Sequence, residues 1–131
     1  MGVRKLSPLV LLVDDETDQI EMYQLALELA AFEVIAAFNG REGIASARDR
    51  RPDAIVLDLR LPDMSGWDVC EVLKRDAVTT KIPIVMLTAA ATPTLTREAA
   101  DAGCAACLIK PCFPDELART VREVIAPPMQ A

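Results

Sequence analysis

Aromatic side chains are scarce in this 131-residue chain: one Trp, one Tyr and three Phe, 4% in all. A core must therefore be built from Val, Leu, Ile and Ala. The length fits a single domain, and at this size about two-thirds of the unfolded chain's surface can be buried. Long apolar runs are also missing. None approaches the ~20 residues of a membrane-spanning helix. The opening "MGVRKLSPLVLLVDD" has an apolar run too short for a signal peptide, and two acids end it. Leu6 stands where an N-myristoylation motif has Ser or Thr. These absences predict a cytoplasmic protein with no membrane contact. Basic residues are the minority: 14 Lys and Arg against 20 Asp and Glu, a net charge of -6. The only compact basic cluster, Arg48, Arg50 and Arg51, is interrupted by Asp49 and followed by Asp53, and reads as a solvated helix end. Nothing here predicts direct nucleic-acid binding, which needs clustered cations facing phosphates.

What is present is a regular alternation. Five short apolar runs, at 9–13, 33–37, 54–58, 84–88 and 106–109, have strand length, and three are almost continuously apolar. Continuous rather than alternating apolarity is the mark of parallel strands covered on both faces. The intervening segments are long enough for crossover helices, so the pattern predicts five βα units around a parallel sheet. Thr17 is the expected cap of the first helix, with Ile20, Tyr23, Leu27 and Ala31 as its stripe. Ser65 is expected to cap a helix with Val69, Val72 and Leu73 turned inward. Thr92 and Pro93 suit the start of the next helix and Gly103 its end. Pro114, Asp115 and Glu116 open the last, striped by Leu117, Val121, Val124 and Ile125. Segment 40–50 is the weakest helix, because Gly40 and Gly43 cost it stability and only Ile44 is large and apolar. The folded domain is expected over 8–126, with 1–7 and 127–131 as flexible ends.

In an open parallel sheet, ligands bind at the carboxyl ends of the strands. The residues expected there are Asp14 and Asp15, Asp58, Thr88 and Lys110. A single Asp at a strand end is ordinarily a turn residue. The conjunction is harder to assign to turns: a strand then Asp-Asp, a strand then Asp, a strand then Thr, a strand then Lys-Pro. Two like charges ~4 Å apart repel by about 4 kcal/mol at an effective dielectric near 20. Either one of the three carboxylates takes a proton or a cation joins them. Oxygen ligands select a hard divalent ion, and Mg²⁺ binds through one or two carboxylates while keeping sites open for phosphate oxygens.

The runs "LLVDDE", "IVLDLRLPDMSGWDV", "IPIVMLTA" and "LIKP" resemble, in order and over essentially the whole chain, the motifs of two-component response-regulator receiver domains. The resemblance implies a doubly wound, five-stranded flavodoxin-like fold of order 2-1-3-4-5. It implies Asp58 as phospho-acceptor, and Asp14, Asp15, Asp58 and the Arg60 carbonyl around Mg²⁺. Thr88 and Lys110 would contact the phosphoryl group, and the Lys110–Pro111 bond would be cis. A carboxylate needs no general base to act as a nucleophile, and Lys serves where a point charge suffices. The implied donor is a phosphohistidine on a histidine kinase or histidine phosphotransfer protein, and the implied output is an unidentified protein target. With no histidine, this chain cannot be its own donor.

Two departures stand out. Cys107 occupies a position that is usually aromatic in the family, and Ala105 and Ala106 replace two acids. Phosphoryl transfer should survive these changes, whereas the conformational readout and the charge pairs of dimerising relatives should be weaker. Cys104, Cys107 and Cys112 offer too few ligands for a metal site. Cys104 and Cys107, three apart on a strand, should face opposite ways, and Cys70 reads as helix packing, as does Trp67. Competing functions are a Mg²⁺-dependent phosphohydrolase, against which Arg60 replaces the required acid, a phosphorylation-independent docking module, and a flavin binder, which would need a Ser/Thr/Gly-rich loop. The chain is expected to assist only its own phosphorylation and dephosphorylation, not to be an enzyme on other substrates.

Overall fold

The computed structural model describes residues 7–125. Apart from Ser7, the expected flexible ends lie outside them. Five strands and five helices alternate: β1 (Leu9–Val13), α1 (Thr17–Leu29), β2 (Glu33–Ala37), α2 (Gly40–Arg50), β3 (Ala54–Leu57), α3 (Gly66–Arg75), β4 (Ile84–Thr88), α4 (Leu95–Asp101), β5 (Ala106–Ile109) and α5 (Pro114–Ile125). The strands form one parallel sheet in the order β2-β1-β3-β4-β5, the predicted arrangement. Asp58 falls just outside β3 rather than at its last position. Among the described residues no helix is long and apolar enough to cross a membrane.

The continuous apolar runs conceal a period of two. Val10, Leu12, Val56, Val85 and Leu87 pack with Ile20, Tyr23 and Leu27 of α1 and Leu117 and Val121 of α5. Leu11, Val13, Ile55, Leu57, Ile84 and Met86 pack on the other face with Ala47 of α2 and Val69, Cys70 and Leu73 of α3. Each fully buried Leu, Ile or Val contributes about 1.5–3 kcal/mol, so the register of the central strands is strongly specified.

Helix starts depart from expectation at two places. In α1 the N-cap is Glu16 and Thr17 is the first helical residue, with no side-chain cap. The Asp14 carboxylate instead accepts the Glu16 N–H at 3.0 Å. Helix α4 begins at Leu95 with Thr94 as N-cap. Thr92 and Pro93 form the preceding turn, in which Leu95 N–H donates to the Thr92 carbonyl at 3.1 Å. Ser65 caps α3 as expected, in a reciprocal capping box with Asp68. In that helix Cys70 rather than Val72 turns inward; Val72 is 42% exposed.

The weak helix is real because its glycines are packing devices. A Cβ on Gly43 would lie 3.1 Å from both Val13 methyls, and one on Gly40 would meet the Met64 side chain. Glycine lets α2 approach the sheet closely, which offsets its helix-propensity cost. The Asn39 side chain also accepts the Glu42 N–H at 2.9 Å.

Helices α1 and α4 end alike. Phe32 N–H donates to Leu27 C=O and Ala31 N–H to Glu28 C=O; Cys104 N–H donates to Ala99 C=O and Gly103 N–H to Ala100 C=O. This is the Schellman arrangement, which needs a left-handed residue just beyond the helix. Gly103 has φ +89°. In α1 the position is held by Ala31 at φ +74°, an exposed residue outside the helix rather than part of its buried stripe. Ala31→Gly should therefore raise stability by about 1 kcal/mol, since a Cβ disfavours this conformation by about that much. Urea titration of the two proteins measures the difference.

Tyr23 is fully buried, and its hydroxyl donates to the Cys112 carbonyl at 3.2 Å. Burial raises its pKa above the ordinary 10.0, Cys112 thiolate charge adds to the rise, and the hydrogen bond opposes it. A phenol with a raised folded pKa contributes full stability below its unfolded value and loses it as pH rises through the folded one. From about pH 10 upward, the urea midpoint of the native chain should fall more steeply than that of Tyr23→Phe. At pH 7 the variant should be less stable by about 1 kcal/mol, the loss of one buried hydrogen bond.

Candidate functional site

The carboxyl edge of the sheet carries the polar residues the core excludes. Asp14, Asp58 and Thr88 are buried, at 4%, 7% and 0% exposure. The backbone ladder extends one residue beyond each strand and holds these positions. Asp14 N–H donates to Ala37 C=O at 3.1 Å, Asp58 N–H to Val13 C=O at 3.0 Å and Lys110 N–H to Thr88 C=O at 2.9 Å. Sheet register thus sets where three of the five predicted edge residues leave the core.

Their side chains meet. Lys110 Nζ donates to Asp14 Oδ2 at 2.7 Å and to Asp58 Oδ2 at 3.1 Å. The other oxygens accept backbone donors: Asp14 Oδ1 from Glu16 N–H at 3.0 Å and Asp58 Oδ1 from Arg60 N–H at 3.2 Å. Thr88 Oγ1 accepts from Ala90 N–H at 3.1 Å. Burial pulls the Lys110 ammonium's pKa down, but hydrogen bonds and charge from Asp14 and Asp58 more than reverse this and leave it raised above 10.5. Among the described residues every buried side-chain nitrogen and oxygen has a partner.

Asp15 is exposed, yet carboxylate oxygens of Asp14, Asp15 and Asp58 all lie within 4.8 Å of one another. Asp15 and Asp58 line an open cleft together with Arg60, Thr88 and Lys110, and Asp14 lies behind it, bonded to Lys110. An all-oxygen donor set with one solvent-facing carboxylate fits a hard divalent cation that keeps part of its water shell. The six predicted site residues therefore come together in one place. The Lys110–Pro111 peptide bond is cis.

The loop after Asp58 is held by contacts that carry no sequence signal. Gly66 N–H donates to Leu59 C=O at 2.7 Å, and Arg60 and Ser65 form an antiparallel bridge. A Cβ on Gly66 would lie 2.6 Å from the Asp58 carbonyl oxygen and 2.8 Å from Leu59 Cα. Both are backbone atoms that cannot yield, so only glycine lets α3 start this close to the strand end. The Asp63 carboxylate accepts N–H groups of Gly40 at 2.7 Å and Arg41 at 2.9 Å. The Arg41 bond, then the Gly40 bond, holds its pKa below 3.8. An acid in a Pro- and Gly-marked loop gave no sequence signal that it would cap a helix over 20 residues upstream.

A parallel 2-1-3-4-5 sheet flanked by helices, with this cleft at its carboxyl edge, is the flavodoxin-like, CheY-like α/β fold. The chain belongs to the response regulator receiver domain family of two-component systems, whose model matches residues 10–122. It is 39% identical over 116 residues to the phosphate regulon transcriptional regulatory protein PhoB of Pseudomonas aeruginosa, covering 88% of this chain and 51% of that one. It is 36% identical over 113 residues to the DNA-binding response regulator MtrA of Mycobacterium tuberculosis, covering 86% and 48%. The chain thus spans about half the length of these curated relatives. Among solved structures it is similar to a putative response regulator from Chloroflexus aurantiacus (TM-score 0.86, 32% identity, 91% and 98% covered). It is also similar to the chemotaxis protein CheY4 of Vibrio cholerae (TM-score 0.84, 32% identity, 90% and 98% covered).

The ammonium is the charge that makes this cluster tenable. Lys110→Met should lower stability at neutral pH by about 3 kcal/mol, because it leaves buried carboxylates uncompensated. It should also make the thermal midpoint more responsive to added Mg²⁺ than that of the native chain. Thermal melts of both proteins with and without the cation check both outcomes.

Proposed function

We propose that this domain accepts a phosphoryl group on Asp58 from a phosphohistidine of a histidine kinase or histidine phosphotransfer protein, and so switches a protein-interaction surface. The observation that carries this reading is Asp58 itself. It is a buried carboxylate that opens on a cleft, held on one oxygen by Lys110 and on the other by Arg60 N–H. In the transfer, an Asp58 oxygen bonds to phosphorus while the phosphorus–nitrogen bond of the donor breaks, and the imidazole leaves with a proton. Little covalent chemistry is asked of the protein beyond positioning and charge. Lys110 provides a fixed cation for the incoming oxygens. Thr88, at the end of the adjacent strand, offers a hydroxyl to the same space. Asp14, Asp15, Asp58 and the Arg60 carbonyl would hold Mg²⁺, which supplies further charge to offset that of the phosphoryl group.

The domain acts on its own phosphorylation state and is not an enzyme for other substrates: Arg60 stands where an aspartyl-phosphate hydrolase places its acid. Its setting is the cytoplasm. The whole chain's net charge of -6 gives the domain no electrostatic cause to bind nucleic acid. The names of PhoB and MtrA describe proteins about twice as long. The switched surface is that of α4, β5 and α5, where Ile109 and Phe113 are 50% and 78% exposed. Cys107 is half-buried against the α2–α3 side of the core. It fills less space than the aromatic usual in the family, so the readout relies more on partner selection.

With acetyl phosphate and Mg²⁺ the native chain should incorporate acid-labile phosphate. Asp58→Asn should incorporate none, and Asp15→Ala should lose the metal dependence. Intact-mass measurement with and without Mg²⁺ decides; undiminished labelling of Asp58→Asn would place the nucleophile elsewhere.

A further inference from the structure

The four cysteines have different surroundings. Cys112 is buried in the α1–α5 core, and its thiol is pushed up to about 11 by burial and then by Glu116. Burial, then the charge of Cys104, also raises the Cys107 thiol. Cys70 and Cys104 form a pair: their sulfurs are 3.6 Å apart, across 34 residues of sequence. Cys70 projects from α3 with no solvent exposure. Cys104 is half-buried in the connection from α4 to β5. Its backbone is fixed on both sides, by the Schellman bond to Ala99 C=O at 2.9 Å and by the Ala105 N–H bond to Ile84 C=O at 2.8 Å. Cys104 lies outside β5, so the alternation expected of residues three apart on a strand does not apply. Cys104 and Cys107 pack against the same side of the core.

We propose that Cys70 and Cys104 are a redox-active thiol pair that closes to an intramolecular disulfide when the chain meets a hydroperoxide. The pair is built asymmetrically. Lys74, one turn beyond Cys70, runs its stem past the open side of Gly103, where a Cβ would lie 3.5 Å from Lys74 Cε, and its ammonium is anchored by the carbonyls of Thr80 and Ile82 at 3.1 Å each. The hydrogen bond shared with Cys70, and then the Lys74 charge, which acts on both sulfurs, pull the Cys104 pKa down against the opposing effect of burial. That same bond, followed by burial, keeps Cys70 protonated. The better thiolate is therefore the more accessible sulfur, the arrangement of a reactive cysteine.

The Cys104 thiolate attacks the terminal peroxide oxygen. The O–O bond breaks, the alkoxide or hydroxide leaves and takes a proton, and Cys104 becomes a sulfenic acid. The charge that kept Cys70 protonated is then gone. Cys70 sulfur attacks Cys104 Sγ, the S–S bond forms, and hydroxide leaves with the Cys70 proton as water. Two thiols lose two electrons in total, and one hydroperoxide becomes one alcohol, or water, plus one water.

A metal is a poorer occupant of the pair. Structural thiolate sites need about four ligands, and among the described residues the only cluster of three or more potential metal ligands is Asp14, Asp15 and Asp58. A regulatory disulfide is also the kind that a reducing compartment tolerates. The bond would tie α3, which starts against Asp58, to the segment feeding β5, which ends beside Lys110. It stands independently of the phosphoryl-accepting reading, because its test reads sulfur chemistry alone.

The purified chain is treated with one equivalent of hydrogen peroxide, blocked with N-ethylmaleimide and mapped by tandem mass spectrometry without reduction. Two of the four thiols should disappear, the chain should lose two hydrogens, Cys70 and Cys104 should be found linked, and dithiothreitol should restore all four. In Cys70→Ala, dimedone should trap a sulfenic acid on Cys104. A linkage through Cys107 or between chains would overturn the proposal. So would overoxidation of Cys104 with Cys70 still free, or a dimedone adduct confined to other cysteines. Should the variant fail to fold, the map of the native chain decides alone.

Discussion

The ammonium of Lys110 between Asp14 and Asp58 is the interaction on which the carboxyl edge depends. Buried like charges repel by several kcal/mol in a medium less polarisable than water, and burial further penalises each ion. One cation at 2.7 and 3.1 Å from the two acids makes the cluster compatible with a folded core. It also leaves the cluster short of positive charge. One ammonium faces three carboxylates, so the cleft remains suited to a divalent cation, whose charge would offset that of the phosphoryl group proposed for Asp58.

Holding that geometry is the work of the sheet rather than of the loops. The parallel register ends β1 and β3 level, at Val13 and Leu57, and takes β4 and β5 two residues beyond, to Thr88 and Ile109; the ladder bonds of Asp14, Asp58 and Lys110 carry their strands one residue further. The loops then work by exclusion. Gly66 removes the one methyl group that would push α3 off the Asp58 carbonyl, and Gly43 does the same for α2 against Val13. Asp63 ties the loop back to the start of α2. The result is a site whose backbone is over-determined and whose exposed member, Asp15, is free to meet a ligand.

The sulfur pair lies beneath α3, in the core layer shared with Val69 and Leu73. Its chemistry is set by burial and by one anchored lysine, with no help from the carboxylates. Two kinds of polar site thus occupy one small domain without sharing a residue, and α3 connects them through packing.

Much of this could be read in the chain order. Apolar runs of strand length require a two-sided parallel sheet, because only helices on both faces can hide so much Val, Leu and Ile. Asp14, Asp15, Asp58, Thr88 and Lys110 follow those runs directly, so the alternation rules send them to one edge. Features set by local backbone detail were misplaced: the caps of α1 and α4, the inward turn of Val72, and Ala31 in a conformation that usually calls for glycine. Contacts between distant segments left no trace in the sequence at all. Asp63 on the start of α2, the methyl-free approach of Gly66 to Asp58, and Cys70 against Cys104 each depend on how two packed surfaces meet. Periodicity reports which face of an element is apolar. It does not report which residue of another element lies opposite, because that is settled only when the side chains of both compete for the same space.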